Sequence, residues 1–172
     1  MTPFVRPMVL SDLDAVLDIQ RACYGEGFLE GADVITRRIG SSVGLSCVAE
    51  REGRVCAYLA AYRSHPGKLT PLHGDFEAVS EPISRPDTLY LHDLAVHPDA
   101  TGLGLAQALV RHLWAQGVAL GLTGSALVSV QGSQDFWARL GYQVQALGDP
   151  VQQQRLASYG EGACYMVRTS LA

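Results

Sequence analysis

The stretch Leu89–Val110, LYLHDLAVHPDATGLGLAQALV, carries a His-Asp pair, His92 and Asp93, in an apolar run that reads as a strand. The run passes through Thr101-Gly102-Leu103-Gly104-Leu105-Ala106 into an apolar helix. Glycine between a strand and a helix lets the main chain come close to an anion, and free N–H groups at the positive end of the helix dipole bind it. The loop holds no basic side chain, so an anion there must be gripped by backbone alone. No acid occurs from Ala100 to Gln134, which agrees, because a carboxylate would repel the same anion. Two familiar phosphate devices are excluded. There is no Gly-Lys-Ser or Gly-Lys-Thr triplet of a P-loop. The third glycine of a dinucleotide fingerprint would be Gln107, with no acid between Asp99 and Asp135 to take a ribose.

The elements that must position these residues follow from periodicity and turn chemistry. Phe4–Leu10 predicts a first strand, and a helix follows with Ser11 as N-cap, Asp14 completing a capping-box-like pair and Leu13, Val16, Leu17 and Gln20 on one face. Gly25 and Gly27 end it, and a second helix is expected near Ala32–Ile39. Val43–Arg63 reads as a hairpin turning at Glu-Gly-Arg. Ser64–Asp87 is a long, mildly acidic loop with four prolines, of a length that is usually functional or mobile. Thr88–Val96 is strand four, Leu103–Gln116 a helix with Gly117 as its C′ residue, and Ser125–Val130 strand five. Gln134–Leu140 forms a short helix ended by Gly141, Tyr142–Ala146 a sixth strand and CYMVRTSL a seventh, while GDPVQQQRLASYGEGA gives no assignable pattern. Regular alternation along strand four puts Tyr90, His92, Leu94 and Val96 on one face and Leu91, Asp93 and Ala95 on the other.

The chain has 172 residues, 48% apolar and 17% charged, a composition expected of one globular domain over 1–172. A net charge of -4 leaves no broad basic surface, so nucleic acid is not an expected partner. Cys23, Cys47, Cys56 and Cys164 are far apart with no Cys-x-x-Cys pair, which predicts buried thiols and no metal site. Charge enters the N-terminus too early for a signal h-region and no run has the roughly 18 apolar residues of a membrane span, so a cytoplasmic protein with no membrane partner is expected. Nothing in the sequence decides between a monomer and a homodimer.

The glycine loop, following a strand that ends in Leu94-Ala95-Val96, resembles motif A of the GNAT superfamily of acetyl-CoA-dependent N-acyltransferases. Ser133–Tyr142, SQDFWARLGY, is similar to the family's motif B, and with the βααββ start the resemblance spans nearly the whole chain. It implies an α/β fold, with a central mixed, mostly antiparallel sheet of about seven strands, flanking helices and strands four and five splayed. It implies acetyl-CoA as cosubstrate, with its pyrophosphate on Thr101, Gly102, Leu103, Gly104, Leu105 and Ala106. The pantetheine arm would lie on the backbone of Leu94, Ala95 and Val96, near Ser133, Phe136 and Trp137. Thr101 stands where the family usually has Arg or Gln, so one phosphate contact weakens, although a hydroxyl still donates a hydrogen bond.

Acetyl transfer needs an unprotonated amine, and a primary amine has a pKa near 10, so a base must remove its proton directly or through water. Histidine is the residue type suited to this near neutrality, and His92 is the candidate. The family's frequent glutamate base is missing at Tyr90, while the arylalkylamine acetyltransferase branch has a His-Leu-His-x-Leu-Ala-Val strand that Tyr90–Val96 resembles. The thiolate needs a proton that the family draws from a tyrosine, but that position is Trp137, whose indole N–H is a donor and not a usable acid. Tyr142, Tyr90 and Tyr159 stay open as alternatives. Asp93 is expected to orient a neighbour unless a bulge turns it inward. The first reading is an acetyltransferase for a small primary amine, with the acidic Ser64–Asp87 loop attracting and covering the amine. The alternatives are an enzyme acting on protein N-termini or lysines, and a catalytically silent acyl-CoA-binding domain.

Overall fold

A computed structural model describes residues 2–24, 28–76 and 85–172. Seven strands form one sheet: β1 (Phe4–Pro7), β2 (Cys47–Arg51), β3 (Arg54–Ser64), β4 (Thr88–Val96), β5 (Gly124–Ser129), β6 (Gln143–Val144) and β7 (Cys164–Arg168). Their order is β1-β2-β3-β4-β5-β7-β6, and only the β4–β5 pairing is parallel. The expected mixed seven-stranded sheet is therefore present. The helices are α1 (Leu13–Cys23), α2 (Ala32–Ile39), α3 (Leu105–Ala119), α4 (Gln134–Arg139) and α5 (Pro150–Ala157).

One sheet face packs against α3, which buries Leu105, Leu109, Val110 and Leu113 on Leu89, Leu91 and Leu127. Burying each such leucine contributes about 1.5–3 kcal/mol. The other face takes Val16, Ile19 and Ile35 from α1 and α2 on one side, and Leu69 and Phe76 on the other. Leu69, Thr70 and Phe76 of the Ser64–Asp87 loop are buried in the core, while Pro66, His73 and Asp75 of the same loop are exposed. Residues 77–84 of that loop lie outside the described residues.

Several boundaries differ from the sequence expectation for identifiable reasons. A short 3-10 turn, Leu10–Asp12, precedes α1, and Asp12 rather than Ser11 does the capping: its Oδ2 accepts from Val9 N at 2.8 Å while Arg6 clasps both its oxygens, each at 2.8 Å. Gly117 lies inside α3, which runs two residues further to Ala119. A Cβ at Gly117 would come within 2.7 Å of Leu171 Cδ1, so this glycine serves a close approach and does not end the helix. The unassigned polar stretch contains α5, started by Asp149, whose side chain accepts from Val151 N, with Pro150 at the first helical position. Strand six shrinks to Gln143–Val144. The hairpin turn sits on Glu52 and Gly53, both with positive φ, as the right-handed twist of a two-residue connection requires. No helix among the described residues is long and apolar enough to cross a membrane.

The Arg6 guanidinium holds the Asp12 carboxyl below its ordinary 3.8, burial opposes this, and the Val9 amide adds to the lowering. A depressed carboxyl contributes stability in full above its unfolded value, and that contribution disappears as pH falls through the folded value. Asp12→Asn should therefore lower unfolding stability by about 2 kcal/mol at neutral pH. In urea titrations the gap to the wild type should narrow as pH falls below about 4. A gap that stays constant from neutral pH to acid would refute the ionic role.

Candidate active site

The site begins where the β4–β5 ladder stops. Parallel pairing covers Thr88–Leu91 against Gly124–Leu127 and goes no further. On the other edge of β4 the register with β3 shifts between Ala61↔Leu91 and Ala60↔Asp93, leaving His92 as an extra residue. A bulge bends a strand and sharpens its twist, and this one lies at the point where β4 leaves β5.

The bulge also corrects the expected alternation. Tyr90 and His92 share a face as expected, but Asp93 and Ala95 follow them onto it. Asp93 bonds Tyr24 and Tyr58, and Ala95 packs with Val16 and Ile19. Leu94 and Val96 pack against the α3 side instead. His97 N donates to Cys56 O at 2.8 Å, which makes Ala95–Tyr58 a hydrogen-bonded pair of the antiparallel ladder and leaves the main-chain groups of Leu94 and Val96 facing the gap. Leu94 O accepts the Tyr24 hydroxyl at 2.9 Å and Val96 O the Cys23 thiol at 3.1 Å. Of the three residues expected to offer backbone to a cosubstrate, Leu94 and Val96 face the gap, and Ala95 is bound to β3.

The gap is a cleft of about 290 Å³ whose walls include His92, Leu94, Val96, Ser133, Phe136 and Trp137. It adjoins a more open trough of about 570 Å³ along Thr101, Gly102, Gly104, Ala106 and Arg111; both include Val96, Ala106 and Phe136. Gly102 and Gly104 have φ of 77° and 75°, and a Cβ at either would meet no atom within 4 Å. The main chain is therefore open to a ligand there, and no side chain caps the start of α3. A pantetheine arm in the cleft and a diphosphate in the trough fit this arrangement. Leu105 turns its side chain into the core and Leu103 is 44% exposed, so those two offer backbone only. The Thr101 hydroxyl, on the trough, donates to Pro98 O at 3.1 Å. Arg111, two turns into α3, is a cation on the trough that the reading of the loop alone overlooked.

At the inner end His92 Nε2 lies 2.9 Å from Glu30 Oε1, and Nδ1 is buried without a partner among the described residues. Asp93 is half-buried; burial pushes its carboxyl up from its ordinary value, against the lowering by the hydroxyls of Tyr58 and Tyr24, the latter at 2.7 Å. Tyr24, at the end of α1, lines the cleft with His92 and was not singled out in the sequence; neither were Glu30 and Gln131. The tyrosines that were singled out are elsewhere. Tyr142 donates to Ser125 Oγ at 2.8 Å and accepts from Trp114 Nε1 at 3.1 Å, Tyr159 donates to Thr70 O, and Tyr90 is packed against Tyr62. None of the three lines the cleft. Ser133 lines it, but its hydroxyl donates to Val130 O at 2.8 Å. Asp75, expected to steer a cationic amine, is paired with Arg37 at 2.7 Å.

Comparisons with known proteins agree with this architecture. No curated protein matches the sequence. Among solved structures, the GNAT-like decarboxylase GphF, in complex with isobutyryl-CoA, superposes with a TM-score of 0.75 at 18% identity, covering 98% of this chain and 100% of that one. The PaiA N-acetyltransferase of Thermoplasma acidophilum, in complex with coenzyme A, gives 0.70 at 12% identity over 98% and 99% of the two chains. The ribosomal-protein-S18-alanine N-acetyltransferase of Escherichia coli gives 0.70 at 17% identity over 99% and 96%. At these identities the likeness is one of fold. The family model described as Acetyltransferase (GNAT) family matches residues 13–142, and the chain belongs to that family of acyltransferases.

Proposed function

We propose that this enzyme moves an acetyl group from acetyl-CoA to a small primary amine, with His92 as the base that takes the amine's proton. The observation that carries the proposal is the pair of adjoining openings, sharing Val96, Ala106 and Phe136, that run from His92 past the unpaired edge of β4 to the glycine loop. Acetyl-CoA supplies an acyl carbon activated by its thiol leaving group. The protein's part is to hold and orient. Main-chain N–H groups at the start of α3 take the diphosphate, assisted by Arg111, and the N–H groups of Leu94 and Val96 fix the arm beside His92. Attack by the amine nitrogen forms the C–N bond as the C–S bond breaks, the nitrogen's surplus proton passes to His92 directly or through one water, and coenzyme A leaves as its thiolate and takes up a proton from solvent. Tyr24 is the tyrosine hydroxyl in position to hydrogen-bond the reacting groups, and Asp93 orients it.

A small acceptor is supported over a polypeptide one by Leu69, Thr70 and Phe76, which are buried on the sheet face next to His92 and occupy space that an open peptide groove would need.

Free-thiol release from acetyl-CoA across a panel of primary amines and peptides tests the assignment. Turnover with small amines is expected, whereas coenzyme binding without release under every acceptor would mark a silent domain. His92→Ala should lower kcat by about a hundredfold or more, the usual weight of general base catalysis. Tyr24→Phe should cost about tenfold, one hydrogen bond to a reacting group, while Tyr142→Phe stays near wild type. The reverse order would return the proton donor to Tyr142. Gly104→Val should raise the KM for acetyl-CoA about tenfold or more while the KM for the amine changes little, because a branched residue at this positive φ disturbs the N–H groups that meet the diphosphate. An unchanged KM would place the diphosphate elsewhere.

A further inference from the structure

His92 does not stand alone. Its side chain is 2% exposed, that of Glu30 3% and that of Arg38 4%, and the three form one buried ionic group. Glu30 Oε1 accepts from His92 Nε2 at 2.9 Å and from Arg38 Nη1 at 2.6 Å; Oε2 accepts from Arg38 Nη2 at 2.6 Å and from the His73 amide at 2.9 Å. The main chain of Glu30 is clasped in both directions by the Gln20 amide, its N–H donating to Oε1 at 2.9 Å and its carbonyl accepting from Nε2 at 2.8 Å. Glu30 can therefore neither rotate nor retreat without breaking several buried hydrogen bonds.

Burial alone would raise the Glu30 carboxyl. The hydrogen bonds from His92 and Arg38, with the guanidinium charge of Arg38 at 2.6 Å, outweigh it and hold the carboxyl well below its ordinary range, so Glu30 stays ionised. An ionised carboxylate only accepts, so the imidazole nitrogen facing it must carry a proton. That assigns the hydrogen to Nε2 and leaves the lone pair on Nδ1, the one ring nitrogen with no partner among the described residues.

We infer that Glu30, charge-balanced by Arg38, is a positioning residue that fixes His92 as its Nε2–H tautomer, so that Nδ1 is the atom receiving the amine's proton. This rests on the reading of His92 as the base. When the proton arrives, an N–H bond of the amine breaks and the Nδ1–H bond forms, and the imidazolium is stabilised by Glu30 without the carboxylate taking the proton. The proton later leaves Nδ1 for water. A carboxylate that fixes a histidine tautomer is worth far more to turnover than to substrate binding.

The tautomer is read directly by nitrogen NMR of the enzyme labelled in its histidines, with His92 assigned by loss of its signals in His92→Ala. A protonated Nε2 and an unprotonated Nδ1 are expected at neutral pH and above. Glu30→Gln should lower kcat by about tenfold or more with the KM for acetyl-CoA within about twofold, and Glu30→Asp should recover part of the loss. A purely structural Glu30 would instead reduce the folded fraction in proportion to activity and leave the tautomer unchanged. The inference is overturned by a wild-type His92 carrying its proton on Nδ1, or by a folded Glu30→Gln enzyme with wild-type kcat. If Glu30→Gln does not fold because Arg38 is left unpaired, the wild-type spectrum decides. His92→Ala separates the two levels: undiminished turnover removes the base itself, whereas slow turnover with the proton on Nδ1 removes only the role of Glu30.

Discussion

A strand buried in a sheet but abandoned on one edge sets the terms for the rest of the molecule. Main-chain N–H and C=O groups out of water must find partners, and β4 loses its partner beyond Leu91 while still held to β3 on its other edge. The chain solves half of the problem internally: the carbonyls of Leu94 and Val96 are met by Tyr24 and Cys23 from the end of α1. The amides are left for something else. An extended amide-bearing chain such as a pantetheine arm would supply the missing acceptors and so complete a sheet that folding leaves unfinished.

The two ends of the opening work by different physics. At the α3 end the protein offers partial charges from an uncapped helix start and a single full charge, Arg111, on an exposed face. Attraction there is spread out and screened by salt, which suits retention and release of a large anion. At the His92 end the side chains of His92, Glu30 and Arg38 are desolvated. Full charges on Glu30 and Arg38 face each other at 2.6 Å, and a pair so deeply buried is costly to build and more costly to break on one side. Such a pair stabilises little and specifies much.

Sequence made the local features legible and left the long-range ones hidden. Strand four, the approximate span of α2 and the glycine loop could be read because each depends on neighbours a few residues away: the apolar run of Thr88–Val96, the glycines at 31 and 40 on either side of Ala32–Ile39 and the two glycines at 102 and 104. The bulge at His92 depends on how β3 lies against β4, and nothing within β4 announces it. Glu30, which bonds His92, Arg38, which bonds Glu30, and Tyr24, which lines the same cleft, are brought together by packing and not by spacing. Tyr142 was legible as part of a motif, but its hydroxyl is claimed by Ser125 and Trp114 from other elements. The helix α5 was missed although Asp149-Pro150 is a usable start signal, because the polar residues that follow bury no face.

The extra residue in β4 makes the slot a matter of counting. A strand with one residue fewer between Leu91 and Asp93 could pair evenly along its whole length with β3, and the sharp departure from β5 would have no cause. Exchanging side chains along this segment leaves the extra residue in place, whereas deleting a single position would let β4 and β3 pair in one unbroken register.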